Sequence, residues 1–220
     1  MKAERTEATT LEGWIQQLAV GHVARGYHFY FQGTLPEGKD ARAVDAKLIE
    51  RYGVGISKYA RMERKRRGLA VMRYLRFGRH FVLLATKGKH EVFWKDHGPR
   101  IRNVALHPIR LGGYAVSFRG GRTCVRMEAA VWRQLQAYYL EEATRKPVEW
   151  FVRDFWRWPF EPWAPIRRQT FVILNQVNKA RKAAGLSPVP TTCVRLKRRI
   201  VRPFEPLEGE TLRTASRPRG

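Results

Sequence analysis

The 220-residue sequence predicts an α+β fold: an antiparallel sheet with helices on one face, followed by a mainly helical C-terminal part. Three observations carry this. Short runs alternating apolar and polar residues recur between glycine-bearing turns before residue 127, as in Tyr114, Val116 and Phe118. From Glu128 the spacing changes to three and four, placing Ala129, Trp132, Leu135, Gln136, Tyr139 and Leu140 on one stripe. The order of elements is helix, strand, helix, two strands, helix and then a meander, which suits neighbours joined by hairpins.

Taken in order, Leu11, Trp14, Ile15 and Leu18 define a short amphipathic helix over 10–19, with Thr9 or Thr10 as its cap. Gly26 opens an aromatic strand over 27–32 that Gly33 and Pro36 end. Asp40 caps a second helix running to about residue 52, stopped by Gly53 and Gly55. Residues 69–75 and 80–85 read as two strands joined at Arg76-Phe77-Gly78-Arg79. A short helix follows near 91–97, then strands at 104–111, 114–118 and 123–127, the last two joined by Arg119-Gly120-Gly121-Arg122. Beyond 128, a second helix covers 147–157 and a third runs from Ala164 to Gly185, with Pro159, Pro162 and Pro165 breaking the chain between them. Residues 193–201 read as a strand. The organisation expected is a sheet domain over 1–127, a helical basic part over 128–202 and a loose tail over 203–220.

Composition narrows the functional class. The chain holds 43 Lys and Arg against 19 Asp and Glu, a formal net charge of +24. So much charge of one sign opposes compaction, and a polyanion is the partner that neutralises it. The charge is clustered: residues 51–80 hold ten basic side chains against one acidic, whereas 1–50 are close to neutral. At 44% hydrophobic and 12% aromatic, the chain can bury a core, which excludes a disordered basic tail. No run of about 18 apolar residues spans a membrane, and the start lacks the apolar stretch of a signal peptide. Cys124 and Cys193 belong to no C-x-x-C pair, so free thiols in a reducing compartment are expected, not a zinc finger.

These features point to nucleic acid as the partner. The phosphate-binding candidates are Arg61, Arg64, Lys65, Arg66, Arg67, Arg76 and Arg79, then Arg119 and Arg122 at the glycine turn, Arg167, Arg168 and Lys182 on the last helix, and Lys197, Arg198 and Arg199 in the tail. Arginine dominates, and its planar fork fits phosphate oxygens bidentately. Arg168, Asn175, Asn178 and Lys182 share a helix side that could read bases, although an ordinary polar helix face is the plainer account. Tyr30, Trp158 and Trp163 are the stacking candidates, because aromatic rings beside arginines suit unpaired bases. Aromatics accompanying charge favour RNA or another single-stranded form over duplex DNA. Other proteins of a ribonucleoprotein or mobile-element complex are further partners of this reading. The location expected is cytoplasmic or nucleoid-associated, without membrane, cofactor or metal.

The alternative is a nuclease or transposase acting on the same ligand. A rolling-circle type enzyme needs two His flanking one apolar residue, and no two of His22, His28, His80, His90, His97 and His107 are so spaced. Metal ligands would have to come from separate elements, such as His80 and His90 with Glu91, with Tyr59 as nucleophile. Metal-free cleavage would use His28, His80 or His90 as a general base. No P-loop, dinucleotide fingerprint or H-E-x-x-H is present.

Overall fold

The computed structural model describes residues 5–205. These fall into two compact units, one of 5–109 with 117–123 and 201–205, the other of 110–116 with 124–200. The chain is α+β, as its periodicities predict.

In the first unit β1 (Glu7–Ala8) leads into α1 (Leu11–Gln16), capped by the Thr10 hydroxyl, which accepts from Gly13 N–H at 3.0 Å. A π-helical turn (Gln17–His22) and a 3-10 turn (Val23–Arg25) lead into β2 (Tyr27–Thr34). Asp40 caps α2 (Ala41–Arg51) by accepting from Arg42 N–H at 3.0 Å. Then come α3 (Lys58–Arg66), β3 (Met72–Phe77), β4 (His80–Thr86), α4 (Glu91–His97) and β5 (Arg102–Asn103). The five strands lie in the order β1-β3-β4-β2-β5; all pairs are antiparallel except β1 with β3, so the sheet is mixed.

Strand alternation decides what each face buries. Phe29, Phe31, Met72, Tyr74, Phe81 and Leu83 pack with Val44, Leu48 and Ile49 of α2 and with Phe93 of α4. Leu75, Val82 and Leu84 take the opposite parity and are fully buried as well. α1 lies against β3 and contributes the buried Trp14 and Ile15. No face of this sheet is left open along its central strands.

One charged group sits inside that packing. Arg76 on β3 is 3% exposed, and its Nε donates to both carboxylate oxygens of Asp45 on α2, at 3.0 and 2.9 Å. The Tyr74 hydroxyl donates to the same carboxylate at 2.5 Å. Glu7 of β1 pairs with the remaining Arg76 nitrogen at 3.0 Å, and the Gly78 carbonyl accepts from Nη1 at 2.6 Å. Every side of the guanidinium is thus answered, which a buried cation requires. Burial and the Asp45 carboxylate push the Tyr74 hydroxyl well above its ordinary titration range.

β6 (Ile109–Leu111), β7 (Tyr114–Arg119) and β8 (Arg122–Met127) form a three-stranded antiparallel sheet. Gly120 and Gly121 turn β7 into β8 with φ of 54° and 73°, the left-handed pair that a two-residue hairpin turn demands. In the second unit α5 (Ala129–Glu142), α6 (Val148–Trp156) and α7 (Ala164–Ala183) pack around Tyr139, Phe151, Phe155, Ile173 and Leu174, all buried. The Tyr139 and Phe155 rings stack at 4.7 Å, and the Tyr139 hydroxyl donates to Asp154 while accepting from the Trp158 indole. Arg181, 3% exposed, donates to the carbonyls of Ala143 and Lys146 just past α5 and of Ser187 past α7. Chain ends that no helix bond satisfies are held by that one side chain.

Two expected strands are corrected. Residues 193–201 do not pair with any strand: a 3-10 turn at Thr191–Cys193 is followed by irregular chain. Side chains, not a ladder, hold this segment; Arg195 donates to the carbonyls of Trp158 and Phe160, and Glu161 accepts from Arg199 N–H at 2.8 Å. Of the expected strand over 104–111 only β6 at Ile109–Leu111 is formed; residues 104–108 are turn and irregular chain, and β5 precedes them in a different sheet. Between β5 and β6 the Asn103 side chain accepts from Ala105 N–H and folds a turn. Both cysteines are buried thiols outside any disulfide, and burial pushes the Cys193 thiol up to about 11. Among the described residues no helix is long and apolar enough to cross a membrane.

Removing one partner of a buried ion pair costs more than the pair contributes, because the orphaned charge stays desolvated. Asp45→Ala is expected to lower stability by about 3 kcal/mol, the low end of that range because Glu7 still faces Arg76. A urea titration checks it: the midpoint should fall without a change in slope.

Candidate nucleic-acid interface

α3 carries the densest basic run of the chain, and its burial pattern divides that run by helical angle. At about 100° per residue, Lys58, Tyr59, Met62, Lys65 and Arg66 fall within an arc of roughly 120°. These five are the exposed residues of the helix, Tyr59 at 73% and Met62 at 58%, and none is acidic. Ala60, Arg61, Glu63 and Arg64 form the opposite, half-buried side. The helix buries no residue fully.

Polar anchoring replaces apolar packing beneath it. Ser57 caps the helix by accepting from Ala60 N–H at 3.1 Å. Arg61 donates to the Ile56 carbonyl at 2.6 Å and Arg64 to the Ala70 carbonyl at 3.1 Å. Arg61 and Arg64, expected as phosphate ligands, therefore point back and fasten the helix to its flanking chain. Lys65, Arg66 and Arg67 remain outward and exposed; Arg66 makes only a surface pair with Glu63 at 3.3 Å.

Further basic groups gather around α3. The 87–89 loop lies directly against 68–70, with Lys89 N–H donating to the Gly68 carbonyl and Ala70 N–H donating to that of Lys89. Gly88 permits the approach: its φ is 138°, and a Cβ there would lie 2.6 Å from the Ala70 nitrogen. Lys87 and Lys89 are both exposed beside the C-terminal end of the helix. On its other flank Lys65 and Arg73 reach the Tyr27 ring, at 6.0 and 5.8 Å from its centre. His22 meets the same ring edge-on at 5.9 Å. Burial above all, then the neighbouring Arg73 and Arg25 charges, lowers the His22 pKa to about 3, and its Nδ1 is buried without a partner.

Other predicted residues sort by burial. Arg119 and Arg122 are exposed beside the glycine turn, and Arg168, Lys182, Lys197 and Arg199 are exposed in the second unit. Arg76 is consumed by the network described above. Arg79 donates twice to the Leu35 carbonyl and pairs with Glu37, so it clamps the loop after β2. Arg167 donates to the carbonyls of Pro162 and Leu196, and Asn178 exchanges two hydrogen bonds with the Val189 backbone. The base-reading stripe on α7 loses Asn178 to that internal task.

The stacking candidates are corrected. Tyr30 is 3% exposed and its hydroxyl donates to the His107 and Pro108 carbonyls. Trp158 is 8% exposed with its indole bonded inward to Tyr139. Trp163 is half-buried and already covered by the Arg198 guanidinium, 3.8 Å from the ring centre. Desolvation lowers the Arg198 pKa, and its Nη1 is buried without a partner.

The ligand set His80, His90 and Glu91 is not assembled. His80 opens β4 opposite Thr34, whereas His90 lies beyond its other end, roughly 20 Å along the strand. His90 caps α4: its Nδ1 accepts from Phe93 N–H and its Nε2 faces the Tyr52 carbonyl, both at 3.2 Å. Among the described residues no three His, Cys, Asp or Glu are placed to share a metal ion. Lys58, Met62, Lys87 and Lys89 are candidate interface residues that the sequence reading missed. For Lys58 and Met62 the signal was Ser57 as a cap, with outward residues spaced at helical intervals after it; Lys87 and Lys89 join them only through the backbone pairing of 68–70 with 89. Comparison of the chain with family models, curated proteins and solved structures gave no match.

A histidine held neutral in the fold makes stability fall as pH drops, because only the unfolded chain takes up the proton. Between its unfolded pKa of 6.5 and its folded value of about 3, His22 adds up to one proton to that difference. His22→Gln should therefore flatten the loss of stability from pH 6 to pH 4 by up to about 1.4 kcal/mol per pH unit. Urea midpoints measured at pH 4, 5 and 6 for both proteins decide this; equal slopes would mean His22 protonates in place.

Proposed function

We propose that this chain binds nucleic acid through phosphate contacts centred on α3 and the 87–89 loop. The observation that carries the reading is the outward face of α3, which is basic and apolar, contains no acid and covers no core. A short helix in water is marginal below about 12 residues. Like charges three or four apart, Lys58 with Arg61 and Arg61 with Arg64 and Lys65, weaken it further. An acid-free outward face that carries Lys58, Lys65 and Arg66 without covering core suits an external polyanion, whose phosphates neutralise those charges.

The arginines already bonded internally sharpen the reading. Arg61, Arg64, Arg76, Arg79 and Arg167 hold chain in place, so they support the surface without contributing free charge to it. Lys58, Lys65, Arg66, Arg67, Lys87 and Lys89 are the exposed cations offered to nucleic acid, with Arg119 and Arg122 as a separate exposed pair. No cleavage chemistry is proposed, since the histidines available to it act as caps or lie apart.

Phosphate neutralisation has a thermodynamic signature: log K falls linearly with log salt, by about 0.9 per phosphate contact on duplex DNA. Arg67→Ala with Lys89→Ala, both exposed, should reduce that slope by about 2. Fluorescence anisotropy of labelled single- and double-stranded DNA and RNA across a salt series measures it. No binding of any of the four at low salt would overturn the reading.

A further inference from the structure

Resting on that reading, we propose that α3 enters the major groove of duplex DNA and that Lys58, Tyr59, Met62, Lys65 and Arg66 face the base edges. Dimensions are the first argument. An α-helix with side chains is about 10–12 Å across and the major groove of B-DNA is about 12 Å wide. Nine residues rise roughly 13 Å, the length of about four base pairs.

Chemistry is the second. The outward arc mixes cations with two apolar groups, a composition that a purely phosphate-tracking surface does not need. Lys and Arg match guanine O6 and N7, and apolar side chains match the thymine methyl. Met62 sits at the centre of the arc between Lys58 and Arg66, where a groove floor would be met. The exposed Arg67, Lys87 and Lys89 at the C-terminal end of the helix are placed for the groove walls, where phosphates lie. The backward-pointing Arg61 and Arg64 fix the helix through main-chain carbonyls, so its outward angle is set before DNA arrives.

Competing ligands fit this face less well. Single-strand binders stack successive bases on neighbouring open rings, and the outward arc of α3 holds a single ring, Tyr59, while Tyr30 and Trp158 are buried and Trp163 lies under Arg198. The major groove of A-form RNA is deep and narrow and does not admit a helix. B-form DNA is the nucleic acid whose shape accepts this element.

The test uses the full chain at one fixed salt concentration, near 0.15 M, with five probes of the same sequence. These are a DNA duplex, the RNA duplex, each DNA strand alone, and the DNA duplex with its major groove filled by glucosylated hydroxymethylcytosine. The plain DNA duplex should bind at least about tenfold more tightly than each of the others. Distamycin, which fills the minor groove, should leave that affinity within about twofold, since the minor groove is not the one engaged. Met62→Glu should weaken the plain duplex by at least about tenfold while the urea midpoint stays that of the parent, because this side chain is exposed. Amide exchange over 58–66 should slow on adding the duplex and not on adding the single strands. Equal affinity for the glucosylated duplex, or preference for RNA or single strands, overturns the groove assignment while leaving phosphate binding standing. Failure to bind any probe at low salt sinks both.

Discussion

A buried guanidinium ties three elements of the first unit into one body. Arg76 projects from β3 onto the Asp45 carboxylate of α2, and its outer edge is met by Glu7 of β1. The parallel pairing of β1 with β3 places Glu7 opposite Arg76 in register. A two-residue strand contributes little apolar area, so its position depends on that pairing and on the charge it delivers. α2 likewise presents Val44, Leu48 and Ile49 to the sheet at an orientation that Asp45 fixes. Burying the ions is expensive, and their mutual attraction mainly offsets that cost. What the network contributes is a single acceptable geometry between strand and helix.

The same residue type therefore has two fates in this chain. Arg76, Arg79, Arg167, Arg181 and Arg195 spend their donors on carbonyls and carboxylates of the protein, several at places where helices or strands end. Guanidinium suits this because five donors in a fixed plane can satisfy several carbonyls at once. Of the outward groups of α3 and its neighbouring loop, half are lysines: Lys58, Lys65, Lys87 and Lys89 beside Arg66, Arg67, Tyr59 and Met62. The formal charge of the whole chain overstates the charge free on the proposed interface for this reason. What matters to a polyanion is the charge left over after the fold has taken its share.

That division explains which parts of the structure were legible in the sequence. Local signals held: Asp40 caps α2, the Gly120-Gly121 pair turns β7 into β8, and the spacing after Glu128 is that of α5. Each is written within a few residues. The failures are long-range. Nothing near Tyr30 announces that the His107 and Pro108 carbonyls will claim its hydroxyl, and nothing near Arg195 announces Trp158 and Phe160. The segment 193–201 has strand-like residues, yet a strand needs a free ladder beside it, and here Arg195 and Glu161 satisfy the chain instead. The basic run at 61–67 was visible as charge, whereas its split into anchoring Arg61 and Arg64 and outward Lys65 and Arg66 required the helical phase.

Under the proposed binding, a helix in this state would couple ligand binding to local order. α3 starts with Lys58 at its N-terminal end, where a cation opposes the helix dipole, and carries like charges one turn apart along its length. Its caps and the two arginine anchors set a lower limit on its stability; apolar burial adds little to it. A polyanion laid along the outward face would neutralise Lys58, Lys65 and Arg66 and exclude water from Tyr59 and Met62 in the same step. Binding to the ordered helix then stabilises that helix by mass action, with the gain growing as RT ln(1 + [L]/Kd). Replacing Lys58, Lys65 and Arg66 by leucine would remove the charge a polyanion meets and leave exposed apolar surface with no core to pack on, so the weak packing of α3 and the exposure of its cations are one property.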